Sequence, residues 1–213
     1  MGHARCARDR RLDHGRTHVV DLRAEIERNL HAFERVRSAS AQTGAAVAIV
    51  VMENGGRPVV PIFQRSDRLR RHAGQMALPG GRMHPDETVE AAALRELEEE
   101  LALVVTEEDV LGHLDDFDTR SGFTISPVVA WSAAKASDLR PSGDEVAQLF
   151  LIGLPELREA AAGALEGDQF SMRLPEVEVF APTAAILYQF SRVALDGELV
   201  RVGDFYQPPW THR

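Results

Sequence analysis

Among the 213 residues there is one cysteine, Cys6, and one lysine, Lys135. A single thiol closes no disulfide within the chain and fits no multi-cysteine zinc site. A reducing, cytoplasmic setting is the economical reading. With one lysine, nearly all positive charge is arginine, which reads as genomic bias before it reads as function. No apolar run approaches the roughly 18 residues a membrane span needs, so no membrane partner is expected. Internal repeats and low-complexity linkers are absent as well. Hydrophobic residues make up 44% and charged residues 27%, close to ordinary globular values, which excludes a disordered chain, a collagen and a disulfide scaffold. The length suits one domain with short appendages, or at most two very small ones.

The charge is uneven. Residues 1–40 carry nine Arg against six Asp or Glu, while the whole chain has a net charge of −9. An acidic body repels nucleic acid and anionic membranes, but it can bind a phosphate substrate when cations sit between the two. Residues 1–18 are polar and Arg-rich with no apolar segment, unlike a secretory signal. Asp9 and Asp13 interrupt the basic run and no aromatics interleave for base stacking. A disordered basic tail over 1–18 is therefore expected, and no nucleic-acid partner.

Val19, Leu22, Ile26, Leu30, Phe33 and Val36 recur at helical spacing and predict an amphipathic helix over 20–38. Its apolar face packs on the body or on a second subunit. Residues 45–52 form a β-branched apolar run, a strand buried on both faces. Asn54-Gly55-Gly56 turns into a returning strand over 58–64, where Pro58 and Pro61 demand an edge-like stretch. A loop over 65–80 carries Arg65, Arg68, Arg70, Arg71 and His72. A helix follows over 86–101, with Asp86 as N-cap, then a short turn capped by Thr106. Strands are expected over 110–117, 124–131 and 146–153, a helix over 154–165, a hairpin over 171–180, and a helix from Pro182 to Leu195. One domain spans 19–204, with a tail over 205–213. Helices mixed with strands give an α/β or α+β class.

The informative stretch is 81–103. On a helix, Glu96, Glu99 and Glu100 stand three and four residues apart and share a face, while Leu94, Leu97 and Leu101 bury another. Charge runs on helices are ordinarily solvated faces. Here a Gly-Gly turn precedes the run, Glu87 stands near the helix start and Arg95 lies beside the carboxylates. Clustered carboxylates that repel one another become favourable around hard cations such as Mg²⁺ and Mn²⁺.

This pattern resembles the signature of the Nudix hydrolases, GX5EX7REUXEEXGU with U a bulky aliphatic residue. It matches at Gly81, Glu87, Arg95, Glu96, Leu97, Glu99, Glu100 and Leu103. Ala102 stands where the family has Gly, at a left-handed position where Ala costs on the order of 1 kcal/mol, so a re-formed turn is expected. The resemblance implies a Nudix α/β/α sandwich with a mixed central sheet. It implies that Glu96, Glu99, Glu100, Glu87 and the Gly80 carbonyl hold Mg²⁺ or Mn²⁺, with Arg95 orienting the carboxylates. It also implies a general base, for which Glu145 is the loop candidate; a solvated loop acid is the other reading of Glu145.

Residues 65–81 (RSDRLRRHAGQMALPGG) are similar to the segment ahead of the box in coenzyme A pyrophosphatases, with Leu78 in place of the usual Phe. Leu114-Asp115-Asp116, Thr119, Gly122-Phe123 and Pro127 extend the likeness downstream. It implies substrate contacts from Arg65, Arg68, Arg70, His72, Gln75 and Gly81. The expected reaction is cleavage of coenzyme A, or its acyl form, to adenosine 3′,5′-bisphosphate and 4′-phosphopantetheine or its acyl form. Competing readings are a Nudix hydrolase of ADP-ribose, a dinucleotide or a nucleoside triphosphate, and a Nudix protein that binds a nucleotide without turnover. A homodimer is expected, because the helix over 20–38 offers an apolar face and dimers are common in the family.

Overall fold

The computed structural model describes residues 14–40, 42–69, 72–164 and 170–205, with nothing assigned to the side chains of 14–20. Among these residues eight strands join one sheet. Its spine is β1 (Thr43–Asn54), as expected an apolar strand covered on both faces. Ile49 and Val51 enter one hydrophobic layer, whereas Ala46, Ala48, Val50 and Met52 enter the other. That split is the period-2 geometry of a strand applied to a sequence apolar at every position.

Gly55 and Gly56 take positive φ and turn β1 into β2 (Arg57–Arg65). The register Asn54↔Arg57, Glu53↔Pro58 and Met52↔Val59 makes this a two-residue hairpin. Along β2, Arg57, Val59 and Pro61 therefore turn their backbone groups toward β1. On that flank β2 pairs with β1 up to Val59 and with β3 (Met76–Ala77) from Phe63. Pro61 falls in the gap, where its missing donor removes no ladder bond. The other flank pairs with β8 (Val146–Gly153) from Val59 to Arg65, so β2 is interior, and Pro58 lies ahead of that pairing.

β4 (Gly80–Arg82) pairs antiparallel with the start of β1. Between them, β5 (Val110–His113), β6 (Phe117–Asp118) and β7 (Phe123–Lys135) replace the two strands expected over 110–117 and 124–131. β7 runs parallel to β1, from Thr43↔Phe123 to Val51↔Trp131, and β5 and β6 pair with it antiparallel. The sheet is mixed, as expected.

Helices cover both faces. α1 (His14–Ala32), α3 (Leu154–Gly163), and α4 (Thr183–Gln189) with its π-helical continuation Phe190–Leu195 lie in one layer with the hairpin β9 (Ser171–Arg173) and β10 (Glu178–Phe180). α2 (Val89–Leu101) covers the other face through Ala92, Ala93, Leu94, Leu97 and Leu101. Ala46 and Ala48 of the sheet and Ala92 and Ala93 of the helix share this layer, small residues that let a helix pack close.

Several boundaries differ from the sequence reading. α1 starts at His14, inside the segment assigned to the tail, and ends at Ala32 rather than at 38. Val36, counted on its apolar face, lies beyond it and is exposed. Ile26, Leu30 and Phe33 are buried within the same chain, so the face that suggested a dimer is already covered. Phe205, assigned to the C-terminal tail, packs its ring on Phe170 and Tyr188. The tail assignments for 1–13 and 206–213 lie outside the described residues.

Candidate active site

α2 begins later than its composition suggests. The Thr88 hydroxyl accepts from the Ala91 N–H at 3.1 Å and caps the helix. Asp86, expected in that role, stands in the preceding turn at φ 64°. At the other end Ala102 keeps the left-handed conformation, φ 54° and ψ 33°, and donates to the Glu98 carbonyl at 2.8 Å. The turn is therefore not re-formed to suit Ala; the chain tolerates Ala in the glycine conformation.

Burying the alanine and leucine face of α2 turns Glu96 and Glu99 outward, where Arg95 organises them together with Glu87. Its Nε donates to Glu87 Oε1 at 2.9 Å and Nη2 to Glu87 Oε2 at 3.2 Å, a two-pronged pair. Nη1 donates to Glu96 at 2.8 Å and to Glu99 at 3.3 Å, and Nη2 also reaches the Arg82 carbonyl at 3.1 Å. One guanidinium thus ties three box glutamates to the start of the site. The Arg95 hydrogen bonds, joined by the His84 N–H, pull the Glu87 carboxyl down to about 2.

Glu100 faces the other way, into the protein, with 1% of its surface exposed. The Gly80 N–H donates to its Oε2 at 2.9 Å, and Arg65 Nη1 lies 3.5 Å from Oε1. Burial pushes its carboxyl up to about 8; the Gly80 bond and Arg65 oppose this, while the charges of Glu96 and Glu145 add to it. Glu145 is brought here by backbone bonds. Arg140 donates to the Leu101 carbonyl at 2.9 Å, Ser142 to the Glu100 carbonyl at 2.8 Å, and Ser66 to the Glu145 carbonyl at 2.8 Å. The loop before β8 is thereby laid across the end of α2.

The two glycines of β4 are required by close approach. A Cβ on Gly81 would overlap the Glu96 carboxylate, and one on Gly80 would overlap the Ala46 carbonyl and Val47. Among the described residues no three acidic, histidine or cysteine side chains converge as a finished ion cage. Arg95 holds Glu87, Glu96 and Glu99, while Glu100 is turned to Gly80. The donor set nonetheless fits a hard divalent cation. It is all oxygen, and Glu96 and Glu145 press their charge on a carboxyl nearly cut off from water, a repulsion that a cation would relieve.

β4 also borders a cleft of about 940 Å³. Arg65, His72, Gln75, Gly80 and Gly81, all anticipated from sequence, line it. His72 takes φ 56°, and its Nδ1 is 3.2 Å from Gln75 Oε1. The Arg65 Nε is buried with no partner among the described residues. Arg68 does not join them: its side chain is 79% exposed and turns toward Asp144 at 3.8 Å. Arg70 lies outside the described residues. Val47, Leu78, Ile125, Phe150 and Ile186 give the cleft an apolar wall, and Thr183 closes one end by donating to the Met76 carbonyl at 3.0 Å. The sequence reading missed Arg82 as a cleft residue, its guanidinium lying over Phe123 at 4.9 Å. Its place directly after Gly81 was the available signal.

Residues 42–174 match the NUDIX domain family. The chain is 38% identical over 120 residues to the protein named uncharacterized Nudix hydrolase NudL of Yersinia enterocolitica, covering 56% of this chain and 61% of that one. It is 42% identical over 113 residues to the protein of the same name from Citrobacter koseri, covering 53% and 58% respectively. The chain thus spans about three fifths of the length of these relatives. Among solved structures, a MutT/nudix family protein from Enterococcus faecalis gives a TM-score of 0.52 at 18% identity, over 81% of this chain and 69% of that one. A NUDIX hydrolase from Alicyclobacillus acidocaldarius gives 0.52 at 15%, over 78% and 100%. Identities this low speak for the fold alone. The family match covers more than half of the chain, and it takes in both the glutamate-bearing helix and the glycine strand it rests on: the chain belongs to the Nudix domain family.

Proposed function

We propose that the protein hydrolyses a nucleoside diphosphate linkage with the help of Mg²⁺ or Mn²⁺, and that its substrate is coenzyme A or an acyl derivative. The observation that carries the reaction class is the arrangement about Glu100, a buried carboxyl facing Gly80 with Glu96 and Glu145 close enough to raise it. Glu96, Glu99, Glu100 and the Gly80 carbonyl would hold the cations, and Glu87 would support them through Arg95. When bound, the cations neutralise the diphosphate and lower the pKa of a water. Arg95 fixes the carboxylates in place, so little reorganisation remains for the reaction itself. Glu145 takes the proton from the attacking water. The water oxygen joins one phosphorus as the bridging P–O bond breaks, releasing adenosine 3′,5′-bisphosphate and 4′-phosphopantetheine or its acyl form.

The cleft supports the coenzyme A reading over ADP-ribose, dinucleotides and nucleoside triphosphates. Arg65, His72 and Gln75, from the segment similar to coenzyme A pyrophosphatases, line it together with Gly80 and Gly81. The apolar wall suits a pantetheine arm.

The test is a panel of coenzyme A, acetyl-coenzyme A, ADP-ribose, NADH and nucleoside triphosphates incubated with Mg²⁺ or Mn²⁺, with products identified by mass. The expected result is adenosine 3′,5′-bisphosphate from coenzyme A, abolished in a Glu99→Gln, Glu100→Gln double variant. Cleavage of another panel member instead would retain the box chemistry and discard the substrate. A folded protein that Mg²⁺ neither stabilises nor activates on any substrate would leave only nucleotide binding.

A further inference from the structure

The cleft holds an arginine that the proposed reaction leaves without a task. Arg82 ends β4, one position past Gly81. Its backbone is fixed twice, by pairing with Ala45 of β1 and by the bond from Arg95 to its carbonyl. Its side chain leaves the box glutamates and lies over the ring of Phe123, 4.9 Å from the centroid. Phe123 opens β7, and both residues line the cleft.

No carboxylate among the described residues pairs with Arg82, although the chain has a net charge of −9. Arg65, the other described arginine of the cleft, is committed to Glu100. Attraction between a cation and the face of an aromatic ring holds the guanidinium against Phe123 and spends none of its N–H groups on a carboxylate. That face of the ring is occupied, so it is closed to a stacked base. On the side of the β9–β10 hairpin the cleft carries Glu176 and Glu178, which repel an anion. The cleft is thus polarised, with its uncommitted positive charge at Arg82.

We propose that Arg82, clamped by Phe123, determines specificity by binding a second phosphate of the substrate, a monoester on the nucleoside distinct from the diphosphate that is cleaved. This rests on the coenzyme A reading above and adds a substrate contact outside the segment 65–81, whose Arg68 points to solvent. A planar fork matches two phosphate oxygens at once, and a guanidinium already held flat loses less freedom on binding. In coenzyme A the 3′-phosphate lies one ribose from the 5′-phosphate of the diphosphate, and Arg82 stands one residue from Gly81 of the box.

The test is calorimetric titration of the full chain in Mg²⁺ with adenosine 3′,5′-bisphosphate and with adenosine 5′-monophosphate. The bisphosphate is expected to bind roughly tenfold more tightly, the scale of one charge-assisted fork. Arg82→Gln should bring that ratio close to one, chiefly by weakening the bisphosphate. Phe123→Leu keeps the charge but removes the clamp, and should lower the ratio by a smaller factor. Equal affinities in the unaltered protein would overturn the proposal. So would an Arg82→Gln variant that weakens both nucleotides alike, since Arg82 would then serve the diphosphate itself. The reaction is judged separately. Coenzyme A left intact alongside an Arg82-dependent preference would sink the reaction and uphold this contact; coenzyme A cleaved without that preference would do the reverse.

Discussion

Glu100 shows how one residue can be both a cost and a requirement. Its burial and the neighbouring charges of Glu96 and Glu145 raise the carboxyl from an ordinary 4.5 to about 8 in the cation-free chain. The folded state therefore binds this proton more tightly than the unfolded state does. Stability from it is fully present below about 4.5 and is lost as pH rises through about 8. With chelator present, the urea midpoint should fall across that window, and Glu100→Gln should flatten the decline. A midpoint in the unaltered chain that is level over the window would refute the burial argument. Adding Mg²⁺ at the alkaline end should restore the midpoint of the unaltered chain and leave the variant unmoved, because only a cation-binding folded state gains by mass action.

At the scale of elements, the site is a meeting of α2 with β4, and both contacts are tight. Gly81→Ala brings its Cβ against the tip of the Glu96 side chain, which can move aside. The fold should survive, with a denaturation midpoint near that of the unaltered chain, while Mg²⁺ affinity drops by about tenfold as Glu96 is displaced. Gly80→Ala meets backbone instead, at Ala46 and Val47, and should cost about 1–3 kcal/mol of stability as an overpacked contact. Paired melting and Mg²⁺ titration of the two variants separates these effects. At the far end of α2, Ala102 holds a left-handed conformation, so Ala102→Gly should add about 1 kcal/mol to the unfolding free energy. The identity of α2 was legible from its repeated Ala, Leu and Glu, and its carboxylate face from spacing alone. Its start was not. Asp86 and Thr88 are both good caps, and the choice between them depends on how the chain leaves β4 and on the Glu87 bonds to Arg95 and the His84 N–H.

Across the whole molecule, the sheet is closed by α2 on one face and by α1, α3, α4 and the β9–β10 hairpin on the other. The apolar stripe of α1 was visible in sequence, but not what it covers. Amphipathicity states that a face will be buried; the partner is a matter of packing. Ile26 is fully buried in its own chain, so Ile26→Ala should lower stability by about 2–5 kcal/mol. The loss should be the same at dilute and concentrated protein in unfolding experiments. A loss that grows on dilution would mean that the helix also serves an interface between copies.

What the sequence determined by itself was local and periodic. Apolar runs marked β1 and β8, Gly55-Gly56 marked the hairpin, and three- and four-residue spacing marked Glu96, Glu99 and Glu100 as neighbours on α2. Such features depend on backbone geometry over a few residues, so they can be read in order along the chain. Only the tertiary structure decided which carboxylate is buried, that Glu145 lies beside Glu100, that Arg68 turns outward, and that Arg82 rests on Phe123. Those outcomes come from residues tens of positions apart competing for the same space and charge. The loop that carries Glu145 reaches Glu100 because β8 pairs with β2, and Phe123 meets Arg82 because β1 pairs with both β4 and β7. Strand pairing, not residue spacing, assembled the site.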